Sequence, residues 1–297
     1  MAGEERNWEF VLRQVDVGGC PVQFVELGGG HPVLMLHGGG PGASGVSNYS
    51  RNFTALARHF RVIIPDMPGY GDSGKVVNRE DPFGGLAAYM TGLLDILNLP
   101  AVHVVGNSLG GAVALRMALD TPARVSSLVL MGPGGLGTSR SLPTRGLRQL
   151  LGYYTGDGPS LEKLSAFIRE SLVYDGAAVP DELIEARYRA SIDPEVIAAP
   201  PLQRPSSLRT LRAMDFTRDP RLARCTIRTL VLWGTEDRVN RPSGARALQR
   251  RMPNCDVYLF SRTGHWVQWE RAIEFNACVA AFLLAGEPAG DNAKDEG

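Results

Sequence analysis

The chain has 297 residues, of which 44% are hydrophobic, and its 31 Lys and Arg balance 31 Asp and Glu. That is enough to bury one large core with room for an insertion, and it does not require a second independent domain. The balance of charge leaves no global field to gather the protein on nucleic acid or an anionic membrane, so a small-molecule partner is expected.

Along the chain, the first eight residues carry Glu4, Glu5 and Arg6 and lack the apolar stretch of a signal peptide. No run approaches the roughly 18 apolar residues of a membrane span, so a cytoplasmic location is expected. Residues 10–17 and 22–27, separated by Gly18 and Gly19, read as an antiparallel hairpin at a sheet edge. Short β-rich runs then follow at 33–37, 61–66, 102–106, 127–131, 229–233 and 257–260, and helical patterns lie between them. This alternation predicts a mostly parallel sheet covered by helices on both faces.

Between residues 131 and 229 the strand pattern is lost, and 161–173 and 181–192 are the clearest helical segments. A connection that long needs structure of its own. Residues 137–225 are expected to form a helical cap over the carboxyl edge of the sheet, where open α/β sheets bind ligands. Residues 1–136 and 226–286 would form the core. Residues 287–297, rich in Gly, Asp, Asn, Lys and Glu, are expected to be disordered. Cys20, Cys225, Cys255 and Cys278 are widely spaced, which argues against a zinc site or a redox dithiol and for reduced, mostly buried thiols.

Gly106-Asn107-Ser108-Leu109-Gly110 follows the run at 102–106 and precedes a helical pattern. A strand–GxSxG–helix sequence is the context of a nucleophile elbow in the α/β-hydrolase fold: small residues two positions either side of the serine permit the sharp turn that exposes its hydroxyl. The alternative is an ordinary turn serine. A serine hydroxyl needs a base, and in this fold the partners follow in the order Ser, acid, His. His31, His37, His59 and His103 all precede Ser108, which leaves His265. The loop at 132–137 contains no carboxylate, whereas the one after 229–233 contains Glu236 and Asp237.

The loop His37-Gly38-Gly39-Gly40-Pro41-Gly42 after the run at 33–37 fits an HGGG-type source of oxyanion donors, and the hole is assigned to the N–H groups of Gly39 and Leu109. The same stretch contains a literal GxGxxG at 40–45, with Asp66 further on, which in isolation suggests a dinucleotide site. No helix is expected to open at those glycines. Gly71-Asp72-Ser73-Gly74-Lys75 lacks the spacing of a P-loop and reads as a surface turn.

At this point the chain resembles the meta-cleavage product hydrolases of bacterial aromatic and steroid ring degradation. The resemblance rests on HGGGPGASGVSNY at 37–49, GNSLGG at 106–111, LVLMGPGGLG at 128–137, WGTEDRVN at 233–240 and GHWVQWE at 264–270. It implies an α/β-hydrolase fold with Ser108, Asp237 and His265 as the triad, and Glu236 as a solvated charge.

The implied reaction is hydrolysis of a carbon–carbon bond in a 2-hydroxy-6-oxohexa-2,4-dienoate, giving 2-hydroxypenta-2,4-dienoate and a carboxylic acid, with no metal or organic cofactor. The dienolate would be protonated at C5, and Ser108 would then attack C6 to form an acyl-enzyme. The resemblance also implies that Arg187 holds the substrate carboxylate, that Gly40, Asn48, Asn107 and Trp266 line the pocket, and that the protein is a homo-oligomer. The group on C6 stays open. A carboxylesterase using the same triad and a non-catalytic ligand-binding module are the competing functions.

Overall fold

Alternation within the strands decides which side of the sheet each residue faces. In the computed structural model, which describes residues 11–286, eight strands form one sheet in the order β1-β2-β4-β3-β5-β6-β7-β8. They are β1 (Val11–Val17), β2 (Cys20–Leu27), β3 (Pro32–Leu36), β4 (Arg61–Pro65), β5 (Val102–Asn107), β6 (Val125–Met131), β7 (Thr229–Gly234) and β8 (Cys255–Phe260). The β1–β2 and β2–β4 pairs are antiparallel, and every other pair is parallel. Position 10 of the expected hairpin, the N-terminal segment and the tail at 287–297 lie outside the described residues.

Twelve α-helices connect and cover these strands among the described residues. On the core they are α1 (Gly45–Tyr49), α2 (Phe53–Leu56), α3 (Pro82–Ile96) and α4 (Leu109–Asp120). Five follow β6 with no strand among them: α5 (Arg145–Gly152), α6 (Leu161–Phe167), α7 (Asp181–Ser191), α8 (Pro194–Ala198) and α9 (Leu208–Ala213). The chain then returns to the core through α10 (Ser243–Gln249), α11 (Val267–Glu270) and α12 (Ala272–Leu284).

Leu34, Leu36, Val104, Leu128, Leu130 and Val231 face α3, α4 and α10 in one apolar cluster. Their neighbours Val33, Met35, Val105, Val129 and Leu232 face α2 and α12 in another. Burial on both faces is why these strands read as unbroken apolar runs. The helices after β6 have a core of their own, in which Leu150, Leu164, Phe167, Leu172 and Ile184 pack on Val239, Trp266 and Trp269 of the sheet domain. The Trp266 and Trp269 rings stack, with centroids 5.4 Å apart. The insertion is thus seated on the loops that follow β7 and β8.

Candidate active site

Ser108 occupies the turn between β5 and α4 at φ 53° and ψ −109°. A side-chain-bearing residue in such a region costs on the order of 1–3 kcal/mol and persists only where its surroundings enforce it. Here Ser108 N donates to Met131 O at 2.8 Å, and Gly110 N donates to His37 O at 3.0 Å, fastening the turn to the ends of β6 and β3. A β-carbon on Gly110 would lie 2.1 Å from Leu36 O, so only glycine lets α4 start this close to β3. The serine therefore stands at the N-terminus of a helix, whose dipole favours negative charge.

His265 follows β8, and its Nδ1 lies 2.7 Å from Asp237 Oδ2, on the loop after β7. The same oxygen accepts from Trp233 Nε1 at 2.9 Å, while Asp237 Oδ1 accepts from Val239 N at 2.8 Å and Asn240 N at 2.9 Å. A carboxylate only accepts, so this set assigns the imidazole proton to Nδ1 and leaves Nε2 as the acceptor. Nε2 makes no hydrogen bond within the protein, and His265 lines the same pocket as Ser108.

Glu236 faces solvent and does not compete for that histidine. Its Oε2 accepts from Thr235 Oγ1 at 2.6 Å and from Thr263 N at 2.9 Å, and these bonds, the Thr235 hydroxyl foremost, hold its carboxyl below the usual range. The side chain staples the aspartate loop to the histidine loop.

The glycine loop is shaped by His37, whose Nδ1 lies 2.9 Å from Gly38 O and whose Nε2 accepts from Met67 N at 2.9 Å. Burial lowers the pKa of this imidazole, which keeps it neutral and able to accept. Gly39 abuts Leu109, the residue after Ser108: a β-carbon there would lie 3.0 Å from Leu109 Cδ2. Gly39 and Gly40 both line the pocket.

A short helix, α1, does open at Gly45, contrary to the sequence expectation. Its start is already occupied, because Ser44 and Ser47 form a capping box and Gly45 N donates to Asp66 Oδ1 at 2.7 Å. The GxGxxG match therefore has a structural role, with Asp66 satisfying backbone N–H groups of its own chain.

Arg187 projects from α7 and is 95% buried. Its Nε donates to Pro41 O at 3.1 Å, its guanidinium lies 5.6 Å from the Trp266 ring centroid, and a β-carbon on Gly40 would lie 2.5 Å from its Nη2. Among the described residues no carboxylate pairs with it. Burial pushes its pKa down to about 10, against an upward pull from Tyr154, Tyr153 and Tyr70, so it is a cation at neutral pH. Arg189, two residues on, instead pairs with Glu185 at the surface at 3.8 Å. A buried charge without a counterion costs several kcal/mol, and this one borders the pocket that contains Ser108.

Asn48, Asn107 and Trp266 line the same pocket. Asn107 Nδ2 is 3.4 Å from Met131 O and 3.5 Å from His265 O, long contacts that leave the amide lightly held. Asn48 Oδ1 accepts from Gln268 Nε2 at 2.8 Å, so the Asn48 NH₂ is the end left for a ligand. Gln268 and Trp233 thus orient site residues without touching the pocket, and neither was singled out by sequence reasoning. The signal for Gln268 was present in GHWVQWE; for Trp233 it was the Trp-x-x-x-Asp spacing, which means nothing until the loop is seen to turn back. A larger groove of about 530 Å³ shares Gly39, Leu150 and Arg187 with the pocket but does not reach Ser108, so it is a separate space from the one Ser108 lines.

Comparison with known proteins agrees with this geometry. Residues 33–277 match the Alpha/beta hydrolase family. The 2-hydroxy-6-oxo-6-phenylhexa-2,4-dienoate hydrolase of Burkholderia cepacia is 39% identical over 275 residues, covering 89% of this chain and 92% of that protein. A 2-hydroxy-6-oxononadienedioate/2-hydroxy-6-oxononatrienedioate hydrolase of Comamonas testosteroni is also 39% identical, over 270 residues, with coverages of 89% and 92%. Among solved structures, the meta-cleavage product hydrolase of Pseudomonas fluorescens IP01 superposes with a TM-score of 0.83 at 31% identity, covering 93% of this chain and 98% of that one. The chain therefore belongs to the alpha/beta hydrolase family and, within it, to the meta-cleavage product hydrolases, which cleave carbon–carbon bonds.

Proposed function

We propose that this enzyme hydrolyses 2-hydroxy-6-oxohexa-2,4-dienoates bearing an uncharged, apolar group on C6, with Ser108, His265 and Asp237 as the triad and residues 137–225 as a cap closing the site. The observation that carries the reading is Arg187, a buried cation with no carboxylate partner among the described residues, set beside the nucleophile. An ester lacking a carboxylate would leave it unpaired, whereas the C1 carboxylate of a dienoate accepts its planar fork.

With the carboxylate held there, C6 lies toward Ser108. His265 assists protonation of the dienolate at C5, and Ser108 then attacks the C6 carbonyl as His265 Nε2 takes its proton. The oxyanion rests on the N–H groups of Gly39 and Leu109. The C5–C6 bond then breaks, and the C1–C5 portion, with the new proton on C5, leaves as 2-hydroxypenta-2,4-dienoate as it takes up the proton held by His265. Water then releases the C6 acid from Ser108.

The apolar C6 group is argued from the rest of the pocket. Leu150, Phe167, Leu172, Val239 and Trp266 line it, and Arg187 is its one cationic lining residue. Relatives act, by their names, on a phenyl-substituted dienoate or on a nonadienedioate with a second carboxylate. A second carboxylate among these side chains would be buried without a counterion, with only the Asn48 and Asn107 amides as donors, at a cost of several kcal/mol. We expect kcat/KM for a 6-phenyl or 6-alkyl dienoate to exceed that for the dioate by about 10²-fold or more; equal values would overturn the apolar assignment.

Arg187→Ala tests the reading as a whole. Removing one partner of a buried charge pair costs about 2–5 kcal/mol, so dienoate turnover is expected to fall by roughly 10² to 10³ in kcat/KM, while a p-nitrophenyl ester, which makes no demand on the guanidinium, changes little. Survival of both activities would remove Arg187 from the site, and ester turnover alone in the parent enzyme would move the protein to the carboxylesterases. A cytoplasmic homo-oligomer is proposed alongside. Its four cysteines are free and β8 ends the sheet with Tyr258 and Leu259 exposed. Light scattering on the purified chain reads the oligomeric state.

A further inference from the structure

The space left in the pocket is about 20 Å³, room for roughly one water, so a dienoate is admitted only when the cap and core part. The catalytic histidine lies on that seam. His265 N donates to Leu172 O of the cap at 2.8 Å. One position earlier, the backbone of Gly264 is pressed so closely on the cap that a β-carbon would lie 2.7 Å from Val173 C and 2.8 Å from Tyr174 N. Across this junction reaches Glu270, at the end of α11. Its Oε1 accepts from Gly264 N at 2.9 Å and its Oε2 accepts from Tyr174 N at 2.7 Å. One carboxylate thus joins the residue before the catalytic base to the cap backbone.

We propose that Glu270 is a positioning residue for His265, clamping the histidine loop to cap residues 172–174 so that the base returns to register with Ser108 each time the cap closes. Both oxygens must accept for the clamp to be complete, because both partners are backbone N–H groups. Only the ionised form offers two acceptors. Burial pushes the Glu270 carboxyl up to about 7, opposed by the N–H groups of Tyr174 and Gly264 and by His265.

Charged groups near the junction include Arg271, which follows Glu270, Arg51, whose Nη1 donates to Trp269 O at 3.0 Å, Glu236 on the aspartate loop, and Arg262, whose guanidinium lies 5.9 Å from the Tyr174 ring centroid. Since a folded-state pKa above the ordinary carboxylate value favours the protonated folded protein, acidification through pH 7 does not remove stability on Glu270's account. It removes the second acceptor. Activity should therefore fall where thermal stability does not.

This rests on the triad assignment above, so the test uses both a dienoate and a p-nitrophenyl ester, which needs the triad but not the dienoate reading. In the parent enzyme, kcat is expected to fall on acidification through pH 7 by about tenfold to a hundredfold more than in a variant whose residue 270 cannot titrate, while the melting temperature holds between pH 7 and 6. Glu270→Gln keeps one acceptor and cannot titrate. It should lower kcat above pH 7 by about tenfold to a hundredfold, the scale of a base misplaced by about 1 Å, with KM little changed and the extra loss on acidification gone.

Glu270→Asp, too short to span both N–H groups, should give an intermediate kcat and keep a loss on acidification, and it decides the matter if the Gln variant fails to fold. A parent kcat that falls on acidification no further than that of Glu270→Gln, or a variant kcat within twofold of the parent on both substrates, would overturn the assignment. Loss of the effect on the dienoate alone would instead count against the substrate reading.

Discussion

Ser108→Ala is expected to lower kcat for a 6-phenyl dienoate by about 10⁶ while leaving the protein folded. The methyl group occupies the position of the serine Cβ, so the strained turn at φ 53° is neither relieved nor worsened. The bonds from residue 108 N to Met131 O and from Gly110 N to His37 O involve only backbone. The melting temperature should stay within a few degrees of the parent, a surface-like change of about 0.5 kcal/mol or less.

What is lost is the atom that forms the acyl bond, and nothing else in the pocket can take its place. His265 is a base, and Asn48 and Asn107 are amides. The variant should still bind the dienoate, because Arg187 and the glycine loop are untouched, and a single-turnover absorbance experiment should therefore see the complex form without bleaching. Turnover within tenfold of the parent would sink the acyl-enzyme route and point to direct attack by a water that His265 activates.

The fold was legible because its strands are buried on both faces. Val104 and Val105 in β5 and the apolar run at 128–131 in β6 are continuous in sequence for the same reason that their side chains divide between two clusters in space. Element ends were less legible. The run expected at 257–260 begins at Cys255, where Asp256 and the exposed Tyr258 interrupt the apolar pattern of an edge strand with one side in water. The helical segment expected at 161–173 is α6 passing into a π-turn at Ile168–Leu172, a departure that no 3.6-residue periodicity can announce.

The site divides along similar lines. Ser108 and His265 could be read from motif and order because each is fixed by local turn chemistry. The choice of Asp237 over Glu236 could not be made from local chemistry alone: both are carboxylates on one loop, and what separates them is that Val239 N, Asn240 N and Trp233 Nε1 converge on Asp237 while Thr263 N and Thr235 Oγ1 claim Glu236. Arg187 needed the family resemblance, since among the chain's many arginines only burial without a counterion distinguishes it. Gln268 and Glu270 act through neighbours far away in sequence, Asn48 and Tyr174, and pairings of that kind leave no trace in spacing.

Asp237→Asn is expected to cost about 10⁴ in kcat, and the reason is the number of donors around the side chain. Four N–H groups point at the two oxygens, and an amide can accept at only one end. With its NH₂ toward Val239 N and Asn240 N, the variant sets donor against donor twice. With its NH₂ toward His265, it faces Trp233 Nε1–H as well and requires Nδ1 of the imidazole to accept, which moves the ring proton to Nε2, the atom that must take the proton of Ser108. The second arrangement leaves the backbone bonds intact and so should prevail, giving a folded enzyme whose base is in the wrong tautomer.

Nitrogen NMR of the imidazole should then find the proton on Nε2 in place of Nδ1, and both dienolate protonation and acyl transfer should slow, since each draws on the same nitrogen. Ester hydrolysis should fall in parallel, unlike its response to Arg187→Ala. A variant that keeps the Nδ1 proton and loses less than tenfold in kcat would mean that Asp237 only shapes its loop, and Glu236 would then have to be tested as the acid in its place.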